Sequence, residues 1–195
     1  ERDANIETVN SINFTPLHRA CETGRIEIVD LLLERGANIK AVDINGHTPL
    51  HIACDSGRIE IVNLLLEQGA NIKAVDKDGH TPLHIACENG YTEIVNSLLY
   101  REGVNIEAVD IYNRAPLHQA CINGNIETVK LLLERGATIE AVSTFNLTPL
   151  HHACINENIE IVNLLLDRRA NIEAVTEDGD TPLHHACINE NTEIV

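Results

Sequence analysis

Large side chains are scarce in this chain. Its 195 residues include no Met and no Trp, and only three Tyr and two Phe. Small aliphatic side chains must therefore fill the core, which suits thin helices packed in register. No apolar run approaches the roughly 18 residues that a membrane helix requires, which argues against a membrane role. A basic segment followed by an apolar stretch is also missing from the start, so no targeting peptide is visible.

Basic residues are the second scarcity. The chain has 14 Lys and Arg against 30 Asp and Glu, for a formal net charge of −16. Such a field repels phosphate backbones and anionic lipid, which argues against nucleic-acid and membrane partners. Two interpretations of the charge stay open. It provides solubility alone, or it favours protein partners that carry basic segments.

Proline is confined to six positions, and all six lie in one recurring quartet. The quartet reads Thr-Pro-Leu-His in five copies and Ala-Pro-Leu-His, beginning at Ala115, in one. Successive copies are 33, 33, 34, 33 and 33 residues apart. A fixed period of this length predicts stacked repeats in place of one closed core.

The segment 43–75 illustrates one repeat. Asn45-Gly46 is a turn signal, and Thr48 followed by proline is typical of a helix N-terminus. Gly57 is placed to end this short helix, and a second helix is expected from near Ile59 to Gly69. The second helix is apolar around most of its circumference, so we expect neighbouring layers to bury Leu64, Leu65 and Leu66.

The six cysteines share one phase of the repeat: Cys21, Cys54, Cys87, Cys121, Cys154 and Cys187. Equivalent positions in stacked helices lie about 8–10 Å apart, whereas a disulfide needs Cα atoms within roughly 7 Å. We therefore expect all six to be small buried hydrophobes with free thiols, which favours a reducing compartment.

This pattern resembles the ankyrin repeat over essentially the whole chain. The residues that carry the resemblance are the quartet, the Ala-Cys that follows it, the run at 61–66 and Gly69-Ala70. The resemblance implies an all-α fold, an α-solenoid whose units each contain a β-turn or hairpin and two antiparallel helices. It also implies a concave groove formed by the hairpin tips and first helices, where partners bind. The expected repeats are 10–42, 43–75, 76–109, 110–142, 143–175 and a partial 176–195.

Residues 1–9 align with the close of a repeat, and 192–195 with the middle of a second helix. We therefore expect a fragment of a longer array. Solenoids usually end in repeats with a polar outer face, and neither end has one. A monomer is expected, with uncapped termini that would allow end-to-end stacking.

Catalysis and metal binding receive little support from the ten histidines. Six of them close the quartet, where each can bond the preceding cap residue and the backbone of a neighbouring layer. A metal site through His51 and Cys54 is disfavoured, because zinc needs four converging ligands and a linear stack separates them. The adjacent pairs His151-His152 and His184-His185 would chelate weakly at the surface. We predict no metal, no cofactor and no enzyme activity.

Partner-binding residues are sought where the repeats differ from one another, at the tips and along the first helices. Exposed aromatic side chains there are candidate anchors, and the alternative is that each packs on its neighbouring tip. The predicted binding residues are Phe14, Ile44, His47, Lys77, His80, Ile111, Tyr112, Arg114, Ile122, Phe145, Leu147, Ile155, Asp180 and Ile188.

The position after each framework Cys changes character midway along the chain. It is acidic in the first three repeats and isoleucine in the last three: Glu22, Asp55 and Glu88, then Ile122, Ile155 and Ile188. We expect a protein partner with basic residues near repeats one to three and a hydrophobic segment near repeats four to six.

The sequence thus predicts an intracellular, cytoplasmic protein-interaction module. Two alternatives stay open: a targeting domain of a larger enzyme or effector, and a structural or elastic solenoid. A designed consensus array is disfavoured by irregularities such as Ser97 and Glu102.

Overall fold

The computed structural model describes residues 5–188, and over that range it contains helices and turns but no β-strand. The helices are α1 (Pro16–Thr23), α2 (Ile26–Glu34), α3 (Pro49–Asp55), α4 (Ile59–Glu67), α5 (Pro82–Glu88), α6 (Thr92–Leu99), α7 (Pro116–Ile122), α8 (Ile126–Glu134), α9 (Pro149–Ile155), α10 (Ile159–Asp167) and α11 (Pro182–Ile188). A 3-10 turn covers Thr144–Asn146. None of these helices is long and apolar enough to cross a membrane.

The helices belong to two compact units. Unit 1 runs to Ala86 and includes Glu93–Val104, and unit 2 holds Cys87–Thr92 and the chain from Asn105 onward. Within unit 1, α1 packs on α2 and α3, and α4 packs on α2 and α3. Within unit 2, α7 packs on α8 and α9, and α9 also packs on α10 and α11. Each unit is therefore a stack of helix pairs, and the predicted all-α solenoid class is confirmed.

The first helix of a repeat is fixed at both ends by local chemistry. At α3 the Thr48 hydroxyl accepts the backbone N–H of His51, and Pro49 occupies the first helical position. The helix ends at Asp55, and Gly57 adopts a left-handed φ of 68° two residues later. Glycine tolerates that conformation without strain, so it reverses the chain toward α4.

The second helix buries less of its leucine run than expected. In α4, Ile61, Val62 and Leu65 are buried, whereas Leu64 and Leu66 are only half-buried. Consecutive residues of a helix point about 100° apart, so three adjacent leucines cannot all face the core. The expectation of three buried leucines was wrong for the outer two.

Five of the six cysteines are buried with free thiols, as expected, but Cys187 is exposed. Burial raises the pKa of the Cys21 thiol to about 12 and that of Cys154 to about 11. These thiols are neutral at pH 7 and pack as small hydrophobes. The expectation was wrong for Cys187, which lies on α11, a helix that packs against α9.

Candidate partner-binding surface

Within each unit, quartet histidines join one repeat to the next, as His18 and His51 do in unit 1 and His151 does in unit 2. The backbone N–H of Thr48 donates to Nδ1 of His51 at 3.1 Å, and the Thr48 hydroxyl lies 2.8 Å from the same nitrogen. Because Nδ1 accepts, the ring proton lies on Nε2, which donates to the carbonyl of His80 at 3.1 Å. The bonds from His18 to His47 and from His151 to Asp180 repeat this arrangement. The predicted double role of these histidines is confirmed.

Burial keeps these rings neutral. Desolvation lowers the pKa of His51 to about 4, and the bond to the His80 carbonyl offsets only part of that effect. The pKa values of His18, His118 and His151 are lowered for the same reason. Both ring nitrogens are therefore occupied by structural bonds and are not free to bind a metal ion. Within residues 5–188, no group of three or more His, Cys, Asp or Glu is placed to hold one.

The tips of unit 1 carry alternating carboxylates and imidazoles, which we call the acid–imidazole ladder: Asp43, His47, Asp76 and His80. His47 Nδ1 lies 3.1 Å from Asp43, and its Nε2 lies 3.4 Å from Asp76. His80 Nδ1 lies 3.3 Å from Asp76. Burial by itself would raise the pKa of Asp43, but bonds from the backbone of His47 and Asn45 and from the His47 ring lower it. Both carboxylates are buried, so the ladder orders the tips more than it presents charge.

Adjacent tips are also joined through their backbones. In unit 1 the N–H of Ile44 donates to the carbonyl of Ile12 at 3.0 Å, and that of Lys77 to Asn45 at 2.9 Å. The side chains of Ile44 and Lys77 nevertheless remain exposed. Packing of tip on tip therefore involves the main chain and leaves these side chains accessible.

Phe14 is the clearest correction among the predicted anchors. It is only 8% exposed, and its ring stacks on His18 with centroids 5.0 Å apart. The Arg19 guanidinium lies 5.1 Å from the centre of the same ring. Phe14 precedes a quartet histidine by four residues, as His47 and His80 do, and a ring at that position covers the buried imidazole. Its expected exposure was wrong.

In unit 2, Tyr112 and Arg114 form a structured tip. The Arg114 guanidinium lies 4.7 Å from the centre of the Tyr112 ring and donates to Asp110 at 2.8 Å. Burial would raise the pKa of Asp110, but its bonds from Arg114 and Tyr112 lower it. Tyr112 remains 51% exposed, and Ile111 beside it is exposed as well. The tip thus presents apolar surface on an arginine held in place by a buried acid.

Phe145 is the most unusual tip residue. Its side chain is 64% exposed and its φ is +63°, followed by Asn146 at +58°. A left-handed backbone is disfavoured for a bulky aromatic residue and costs on the order of 1 kcal/mol. At the equivalent place in unit 1, Asn45 keeps a negative φ and only Gly46 is left-handed. The chain therefore bears strain at the point where it presents an aromatic ring.

Beside these tips, the isoleucines after the framework cysteines differ in accessibility. Ile122 and Ile155 end α7 and α9 and are half-buried, as Leu147 and Asp180 are, whereas Ile188 is 70% exposed. Their acidic counterparts divide between the units. Glu22 is paired with Arg19 and Asp55 is exposed in unit 1, whereas Glu88 belongs to unit 2.

Two features were missed or misplaced by sequence reasoning. The valine before each tip is exposed at all six positions: Val9, Val42, Val75, Val109, Val142 and Val175. Their regular spacing disguised them as framework, although valine in a polar turn is itself a signal. His151 and His152, expected as a weak surface chelator, are both buried. Sequence spacing had not distinguished His152 from an exposed helical position.

Stacked helix pairs with variable tips define a helical repeat protein. A family model for ankyrin repeats matches residues 2–76, 68–143 and 140–195. The chain therefore belongs to the ankyrin-repeat family. Ankyrin repeats generally serve as protein–protein interaction modules. A search of curated proteins returns no significant match.

Proposed function

We propose that this chain is a non-catalytic scaffold that binds a protein partner through its tips and first helices. In unit 2 the contact surface is Tyr112 and Phe145 at the tips, with Ile122 and Ile155 on the adjoining helices. This combination of exposed aromatic anchors and half-buried aliphatic side chains is typical of the centre of protein interfaces.

The partner we infer has two kinds of segment. A hydrophobic segment contacts the apolar tips of unit 2. A basic segment contacts unit 1, where Asp55 is exposed and the protein's overall charge of −16 favours a cationic ligand. Unit 1 also offers Ile44, His47, Lys77 and His80 as contacts at its tips.

The strained Phe145 is the observation that carries the proposal. A left-handed aromatic residue lowers stability, and the ring gains no burial in return because it is 64% exposed. Strain that is retained at an exposed site is typical of binding residues. Phe145 is therefore the first contact to test.

Phe145→Asn separates binding from stability. Asn tolerates the left-handed conformation, so we expect the variant to be more stable than the wild type by about 1 kcal/mol. We also expect it to lose partners that the wild type retains, because the aromatic anchor is gone. Quantitative affinity capture followed by mass spectrometry measures the second effect, and chemical denaturation measures the first.

Tyr100→Ser is the matched control. Tyr100 is 73% exposed directly after α6 and belongs to no tip, so its loss should leave capture unchanged. Tyr112→Ser should behave as Phe145→Asn does in capture. If both tip variants keep every partner that the control keeps, the tips are not the binding surface and the proposal fails.

We further infer a monomer that acts in the reducing cytoplasm. Five buried thiols support that compartment, since a reducing environment keeps them free. The helix pairs also support repeat boundaries at 10–42, 43–75, 76–109, 110–142 and 143–175, and we infer a partial repeat at 176–195 from the sequence. Sedimentation of the purified chain over a range of concentrations tests the monomer.

A further inference from the structure

Four imidazoles lie close together in unit 2, and we call them the histidine column: His118, His151, His152 and His185. The rings of His118 and His152 meet edge to face with centroids 5.5 Å apart. Those of His151 and His185 meet in the same way at 5.7 Å. The first three are buried, so a proton added to any of them would be poorly solvated.

Around His152, the neighbouring groups are a hydroxyl and several bases. Ser143 Oγ lies 3.0 Å from its Nε2. The titratable and charged groups that act on it are His118 from α7, Arg114 from the preceding tip, His151 from its own helix and His185 from α11. Arg114 in turn binds the carboxylate of Asp110. A protonated His152 would therefore face the positive charge of Arg114 and imidazoles that carry no negative charge to balance it.

Unit 1 has the opposite chemistry at the same repeat positions. Ile52 and Ile85 occupy the helical position of His152, and both are buried. Asp43 and Asp76 occupy the position of Ser143, and each accepts bonds from a tip imidazole. In the repeats of unit 2 that follow Asp110, the carboxylate is therefore lost and an imidazole appears in the first helix.

His185 is a second imidazole of the column whose polar groups are not fully satisfied. Among residues 5–188, its Nε2 is a buried side-chain nitrogen without a hydrogen-bond partner. The residue at the Ser143 position in its repeat is Thr176, whose hydroxyl accepts the N–H of Asp180. That position therefore holds no carboxylate in this repeat either.

We propose that the histidine column is an acid-responsive element that loosens unit 2 as the pH falls, while unit 1 retains more of its stability. This role goes beyond partner binding, and its test needs no partner. Acid would also disturb Arg114, and through it the Tyr112 tip of the binding surface.

The direction of the effect follows from proton linkage. Burial, followed by repulsion from His118 and Arg114, lowers the pKa of His152 to about 3, well below the ordinary value of 6.5. The unfolded chain therefore binds a proton that folded unit 2 excludes. Stability is complete above about pH 6.5 and decreases as the pH falls through that value toward the folded-state pKa.

Amide hydrogen exchange of the full chain locates the effect. We compare protection at about pH 7.5 and about pH 5, corrected for intrinsic exchange rates. Amides of α7 and α9 are expected to lose more protection than those of α3 and α4. An equal loss in the two units, or a larger loss in unit 1, would overturn the proposal.

Two variants assign the effect to the column. His152→Ile installs the residue that unit 1 has at this position, and Ser143→Asp restores the carboxylate beside Nε2. Each is expected to remove most of the acid-induced loss of protection in α7 and α9. In the double variant the new carboxylate has no imidazole at position 152 to pair with, so the effects of the two substitutions should not add.

Ser143→Asp also tests the proposal independently of His152→Ile. If His152→Ile disturbs the helical circular dichroism at neutral pH, Ser143→Asp decides, since Ser143 lies outside α9. An acid-induced loss that is unchanged by Ser143→Asp contradicts the proposal, and suppression by it supports the proposal.

Discussion

Unit 1 and unit 2 use the same framework but balance polar groups differently inside it. In unit 1, buried Asp43 and Asp76 alternate with imidazoles at the tips. In unit 2 the tips lose this acid after Asp110, and imidazoles appear in the first helices as His152 and His185. The two changes occur together in the same repeats, which indicates that tip and helix form one polar network.

The comparison also separates roles within a repeat. The quartet histidine makes its bonds in both units, so it belongs to the framework. The residue four positions before this histidine and the residue directly after it differ between the units. In unit 1 they are His47 and Ile52 around His51, and in unit 2 they are Leu147 and His152 around His151. Variation of this kind alters charge response and contact surface while the helix pairs stay the same.

The largest expected effect comes from the framework itself. His51→Ala removes the bonds to Thr48 and to the His80 carbonyl and leaves buried polar groups unpaired, at a cost of about 3 kcal/mol. His118→Ala should cost about 1 kcal/mol less, because Ala115 offers no hydroxyl to lose. Chemical denaturation monitored by circular dichroism compares the two. Equal costs would mean that the cap hydroxyl contributes little.

A smaller effect is expected at the cap of α7. Ala115→Thr supplies the hydroxyl that the other five quartets have, and should stabilise the chain by about 1 kcal/mol. Thr48→Ala makes the reverse change in unit 1 and should destabilise by a similar amount. The same denaturation assay serves both variants, and a loss of stability in Ala115→Thr would contradict the expected cap geometry.

The smallest effect concerns carboxylates that link successive repeats at the surface. Glu140 accepts the backbone N–H of Asn171 at 2.8 Å in unit 2, and Glu7 accepts that of Asn38 in unit 1. Lys40 occupies the equivalent position in the next repeat, and its ammonium group cannot accept a hydrogen bond. Lys40→Glu is expected to stabilise by about 0.5 kcal/mol, and Glu140→Lys to destabilise equally. Thermal unfolding of the pair measures this, and the same sign for both variants would contradict it.

The framework could be predicted because it depends on local chemistry that repeats. Thr48 before proline predicted the start of α3, and the helical spacing of the quartet predicted the bond between His51 and its cap. The next repeat also supplied an acceptor for His51, as the stacked arrangement required. Each of these features rests on contacts within a turn or between adjacent layers.

The exceptions depend on contacts that spacing does not reveal. Phe14 was expected at the surface because it is aromatic and varies between repeats, yet it covers His18 as a tip imidazole does elsewhere. His152 was expected at the surface as one half of a weak chelating pair with His151, yet Ser143 and His118 enclose it. For both residues, burial depends on where the residue lies in the repeat and not on the type of its side chain.

The bonds from His18, His51 and His151 to the following repeat have a consequence for synthesis. The acceptor carbonyl lies 29 residues further along the chain, at His47 for His18 and at His80 for His51. A nascent repeat on the ribosome therefore holds an imidazole N–H that stays unpaired until the next tip has emerged. Folding is expected to follow translation at a distance of about one repeat. A pause within a repeat therefore leaves the preceding layer without the hydrogen bond from its quartet histidine.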